Sequence, residues 1–135
     1  MKHEELTHKI IGAAYNVYNK LGFGFLESVY KKAMIIELCK KGINVEAEKP
    51  LTVYYDENVV GEFFVDLFIE KQIIVELKSV KHLLKEHEVQ LVNYLNGLNK
   101  DIGLLINFGF SKVEVRRKFR NCEEPKSLNE IIRQD

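Results

Sequence analysis

The stretch Phe63-Phe64-Val65-Asp66-Leu67-Phe68-Ile69, carried through Glu70-Lys71-Gln72 into Ile73-Ile74-Val75-Glu76-Leu77-Lys78-Ser79, decides how this chain folds. Both apolar runs have strand length and strand composition, and the polar triplet between them is a short connection. Each run carries charge where a core strand should have none. Period-two geometry puts Asp66 on one face with Phe64 and Phe68. In the next strand it puts Ile74, Glu76 and Lys78 on one side, with Ile73, Val75 and Leu77 on the other. A carboxylate in such a strand is costly unless it is paired, hydrogen-bonded or bound to a cation.

Working outward, Val59–Ile69 reads as one strand, and Leu51–Tyr55, after Pro50, as the strand before it. Asp56-Glu57-Asn58 forms the turn between them. Upstream, Leu6, Ile10, Ile11, Ala14, Val17, Tyr18 and Leu21 recur at helical spacing until Gly22-Phe23-Gly24 interrupts them. A second helix is predicted from about Leu26 to Lys41, with Gly42 as its C-terminal cap. Downstream, Leu84, His87, Glu88, Leu91, Tyr94, Leu95 and Leu98 mark a third helix. Ile102–Phe108 then reads as a crossover strand, Val113–Phe119 as an edge strand, and the residues after Pro125 as a peripheral helix or loose tail. The order α-α-β-β-β-α-β-β predicts an α/β (α+β) domain, a mixed sheet with helices packed on it, over residues 1–135.

Composition bounds the function. The chain has 135 residues, 46% hydrophobic and 30% charged, as expected of one globular domain with a single core. No stretch is apolar for long enough to span a bilayer. Met1-Lys2-His3-Glu4-Glu5 does not read as a secretory signal. Cys39 and Cys122 have neither finger-like nor CxxC spacing, so free thiols in a reducing cytoplasm are expected. Twenty basic residues balance twenty acidic ones, which weighs against a dedicated nucleic-acid binder on charge alone. The basic residues cluster, however, at Lys78, Lys81 and Lys85, and again at Lys112, Arg116, Arg117, Lys118 and Arg120.

Two readings of the charged strand residues stand side by side. An internal Glu76–Lys78 or Asp66–Lys78 ion pair would satisfy itself. Alternatively, carboxylates on adjacent strands converge on one hard cation and leave positions for water and a phosphate oxygen. A lysine two residues on could then position a water or stabilise negative charge. Taken together the residues favour a site. Gln90 and Tyr94, at i and i+4 on the third helix, could contact a lysine, a water or nucleic-acid backbone; an amide and a phenol edging a core face would look the same. His87 is expected on the surface or in a cap, and Tyr30 in the core. Gly22-Phe23-Gly24 is not a phosphate loop, because Glu27 stands where a third glycine should be.

Gly24-Phe25-Leu26-Glu27-Ser28-Val29-Tyr30 spells a GxxExxY motif. Asp66, Glu76-Leu77-Lys78 and Gln90-Leu91-Val92-Asn93-Tyr94 follow it as a D…ExK…QxxxY series, and Leu104-Leu105-Ile106-Asn107-Phe108-Gly109 is similar to a closing strand. Over residues 5 to 119 the chain resembles the GxxExxY proteins of the PD-(D/E)xK nuclease superfamily, with Val65 in place of the motif's proline. That resemblance implies a core of α-β-β-β-α-β, with an extra N-terminal helix and C-terminal strand. It implies that Asp66, Glu76 and the Leu77 carbonyl hold Mg²⁺ or Mn²⁺, with Glu27 beside the metal directly or through water. Lys78 would orient and help deprotonate the attacking water, supported by Gln90 and Tyr94. The expected activity is metal-dependent hydrolysis of phosphodiester bonds of nucleic acid, DNA above all. A non-catalytic nucleic-acid-binding or interaction module on the same fold is the alternative. A domain this small offers little surface for substrate discrimination, which points to a homodimer or larger complex.

Overall fold

The computed structural model describes residues 3–120. Cys122 and the segment after Pro125 lie outside the described residues. Eight elements follow in the expected order: α1 (Glu4–Leu21), α2 (Glu27–Lys40), β1 (Val45–Tyr55), β2 (Asn58–Ile69), β3 (Ile73–Lys78), α3 (Lys85–Leu98), β4 (Ile102–Phe108) and β5 (Val113–Phe119). The strands form one mixed sheet in the order β1-β2-β3-β4-β5. Neighbours are antiparallel except β3 and β4, which α3 joins as a parallel pair. None of the helices among the described residues is long and apolar enough to cross a membrane.

Each sheet face buries its own apolar set. On one, Ile10, Ala14 and Val17 of α1 and Tyr30, Met34 and Leu38 of α2 pack on Leu67, Ile69, Val75, Leu77, Leu104 and Ile106. On the other, Leu91, Tyr94 and Leu95 of α3 cover Leu51, Val65, Phe68, Ile74 and Leu105. Strands β3 and β4 are covered on both sides, which is why their sequences are almost unbroken apolar runs. Tyr30 and Phe108 stack at 4.3 Å between centroids, 4° from parallel, and tie α2 to β4.

Helix α2 ends as expected at Gly42, whose φ of 74° lets Ile43 N–H reach back to Leu38 O and Gly42 N–H to Cys39 O. Strand β1 begins at Val45, well before the predicted Leu51, and Pro50 lies inside it. A proline usually stops a sheet strand, but β1 is at the edge of the sheet, where a missing N–H is tolerated. The β1–β2 and β2–β3 hairpins turn tightly, through Asp56-Glu57 and Glu70-Lys71, and all four residues have positive φ, the combination that matches strand twist.

One irregularity sets up the site. The β1–β2 ladder skips the pair Glu48–Asp66, and Glu48 has a φ of 57°. Val65 belongs to the core under α3, whereas Leu67, two residues on, belongs to the core under α1 and α2. The pleat turns over at Asp66. The expectation that Asp66 shares one face with both Phe64 and Phe68 is therefore corrected: strict alternation fails at Asp66, and Phe64 and Phe68 lie on opposite faces of the sheet.

Candidate active site

The β2–β3 ladder runs through Ile69–Ile73, Phe68–Ile74 and Leu67–Val75 and then stops. Beyond it, side chains take over the work of carbonyls. Asp66 N–H donates to Glu76 Oε2 at 2.8 Å, and Leu77 N–H donates to Asp66 Oδ2 at 2.8 Å. Each carboxylate thus spends one oxygen stitching the strands together, and this exchange holds both groups at one point. The other Asp66 oxygen, Oδ1, faces Lys31 Nζ of α2 at 3.8 Å, and Lys31 also bonds Glu48.

Glu76 is buried, and its carboxyl is pushed up to about 8. Burial is the main cause, and the Asp66 charge adds to it. The Asp66 N–H and the Lys78 charge pull the other way, and Glu27 raises it slightly. Neither carboxylate forms an ion pair with Lys78; the described lysine that reaches Asp66 is Lys31. The self-satisfied pair at Lys78 is thus not what the fold builds.

A hard divalent cation fits this point. Two carboxylates converge in a place where one of them resists ionising, and a positive charge would relieve that cost. Oxygen-only donors suit Mg²⁺ or Mn²⁺. Among the described residues no group of three or more His, Cys, Asp and Glu side chains gathers at a metal-binding distance. Glu27, exposed at the start of α2, therefore feels Glu76 electrostatically without joining a three-carboxylate set.

Helix α3 brings Tyr94 to the site. It is 8% exposed, and its phenol is raised by burial first, then by Glu76 and Asp66, so it stays a neutral donor. Gln90, one turn earlier, is half-buried. Among the described residues no hydrogen bond joins either of them to Lys78. His87 caps α3, its Nδ1 accepting the Leu84 N–H at 3.0 Å. Tyr30 is fully buried as expected, and its hydroxyl also donates to Gly22 O and accepts from Phe25 N–H. It pins the loop that delivers Glu27.

Two contributors escaped the sequence reading. Lys31 was signalled only by its place one turn after Glu27. Asn107 interrupts an apolar strand, and that was its signal. It is fully buried; its Oδ1 accepts Val80 N–H at 2.9 Å and its Nδ2 donates to Val80 O at 2.8 Å, fixing the backbone just beyond Lys78.

Residues 4–118 match the family model described as the PD-(D/E)XK nuclease superfamily. The chain belongs to that superfamily. No curated protein matches it. Among solved structures it is similar to the crystal structure of SSO0001, with a TM-score of 0.58 and 19% identity, over 98% of this chain and 65% of that one. At that identity the likeness concerns the fold. The chain spans just under two thirds of the length of that structure.

Proposed function

We propose that this chain is a nuclease of the GxxExxY group that uses Mg²⁺ or Mn²⁺ to hydrolyse phosphodiester bonds of DNA in the cytoplasm. The observation that carries this reading is the pair of hydrogen bonds through which Asp66 and Glu76 replace the end of a sheet ladder. It fixes two carboxylates side by side and leaves Lys78 unpaired with either. Asp66, Glu76 and the Leu77 carbonyl would hold the cation, with Glu27 acting through a water. Once bound, the cation would polarise the phosphate and make the attacking water more acidic. Lys78 would orient that water and help its deprotonation by stabilising the negative charge of the hydroxide as it forms. Tyr94, kept neutral, donates to the phosphate, and Gln90 supports Lys78. In-line attack leaves a 5′-phosphate and a 3′-hydroxyl.

The test is a cleavage assay with Mg²⁺ and Mn²⁺ on labelled single-stranded, duplex and branched DNA. Lys78→Ala is expected to lose about 10²- to 10⁴-fold in rate, and Asp66→Ala all metal-dependent product, with circular dichroism showing both folded. Cleavage surviving both substitutions would overturn the assignment. A second reading, a binding module without turnover, draws on the zero net charge and on Glu88, which neutralises Lys118 at 2.9 Å and Arg116 at 3.9 Å. Salt-sensitive DNA binding with no product under either metal would select it.

A further inference from the structure

An open groove of about 950 Å³ runs between α3 and the projecting β1–β2 hairpin. Its size is at the upper end of ordinary ligand sites. One wall is apolar and comes from the hairpin: Leu51, Val53 and Phe63. The other is the α3 stripe that includes Gln90, Asn93 and Asn96. One end is closed where Gly97 meets Leu51, so tightly that a Cβ on Gly97 would lie 2.9 Å from Leu51 Cδ1. Tyr94 forms part of the lining, its ring 6.0 Å from that of Phe63 and tilted 44° to it.

Tyr94 also packs in one core cluster with Val65, the neighbour of Asp66, and with Ile74, two residues before Glu76 on β3. The groove is brought up to the strands that carry Asp66 and Glu76 by Tyr94, which belongs both to its lining and to that cluster. We propose that it binds an unstacked nucleobase of a single strand, next to the phosphate that lies at Asp66 and Glu76. Phe63 is 41% exposed and supplies a face on which any base can stack. The amides of Gln90, Asn93 and Asn96 offer paired donors and acceptors to a base edge. A base inside a blunt duplex has neither a free face nor a free Watson–Crick edge with which to enter. The preferred substrate is therefore single-stranded DNA or RNA, or a frayed end or flap. This deepens the nuclease reading and rests on it for the position of the phosphate.

The deciding measurement is metal-free binding of labelled oligodeoxythymidine and oligouridine by fluorescence anisotropy. A blunt duplex and an abasic strand of the same length serve as controls. Both single strands are expected to bind more tightly than either control. Phe63→Ala should weaken them by roughly five- to a hundred-fold and leave abasic binding unchanged, and Phe63→Trp should restore them. Oligodeoxyuridine, which differs from oligouridine only in the sugar, would name the sugar preferred. Equal binding of thymidine and abasic strands, or no effect of Phe63→Ala, would overturn the proposal while leaving the cleavage assay to judge the nuclease reading. Base-dependent binding without cleavage in Mg²⁺ or Mn²⁺ would keep the groove and sink the nuclease. Light scattering on the free protein covers the other occupant. A dimer that Phe63→Ala splits into monomers would mean that a second copy fills the groove, and would overturn the proposal too.

Discussion

Glu76 carries a proton at neutral pH in the metal-free protein, because its carboxyl is pushed up to about 8 from 4.5. The unfolded chain loses that proton near its ordinary pKa, so between these values the folded state binds more protons than the unfolded one. The contribution to stability is complete below about pH 4.5 and is lost as pH rises through about 8. Its ceiling is about 5 kcal/mol. The melting temperature of the metal-free protein is expected to fall from pH 5 to pH 8.5. Glu76→Gln, which keeps an acceptor for the Asp66 N–H and cannot ionise, should flatten that slope and melt higher at pH 8.5. An unchanged slope in the variant would place the dependence elsewhere. Added Mg²⁺ or Mn²⁺ should bind more tightly as pH rises and release close to one proton at pH 7, readable by calorimetry in buffers of different ionisation enthalpy.

The elements around the site hold it by close approach. Gly103 of β4 lies directly beneath α3, and a Cβ there would meet Leu91 Cδ1 at 2.8 Å. Gly103→Ala is expected to lift α3 and cost about 1–3 kcal/mol in denaturant unfolding. Because Tyr94 rides on the same helix, the variant should also lose cleavage activity beyond what its stability explains. Full activity at the lowered stability would show that α3 does not set the site's geometry. The order of these elements was largely readable in the sequence: α1 and α3 show helical spacing, β3 and β4 are unbroken apolar runs, and α2 is marked by the Gly42 cap rather than by its period. The start of β1 was not. Glu46, Ala47 and Glu48 are exposed and Pro50 discourages a strand, so nothing local marks an element that owes its existence to pairing with β2. Asp66, Glu76 and Lys78 stood out as charge within apolar strands. Lys31 and Asn107 come to the site from distant parts of the chain, and only the tertiary structure brings them there.

Across the molecule, support is uneven. Strand β3 pairs with β2 only over Leu67–Ile69, so the rest of the hairpin has no third strand beside it. Its tip exposes Tyr54, Val60 and Phe64 by more than half. Amides of residues 52–62 are expected to exchange hydrogen well before those of β3 and β4, by local opening rather than global unfolding. Uniform protection across the sheet would mean that something else covers the hairpin. Charge is uneven too. Glu88 is held below the usual carboxylate range, first by its bond to Lys118, so part of the C-terminal basic cluster is already neutralised within the fold.

The turnover of the pleat at Glu48 and Asp66 makes the hairpin a module whose facing can be edited without touching the core. Beyond that point the residues looking toward α3 are Leu51, Val53 and Phe63, and those looking away include Phe64. Removing one residue from each strand between the kink and the tip would exchange the two sets. Removing two from each would shorten the groove and keep its lining. Variation in hairpin length among descendants of this chain should therefore come in even steps where the groove's specificity is retained, and in odd steps where it has been traded for another.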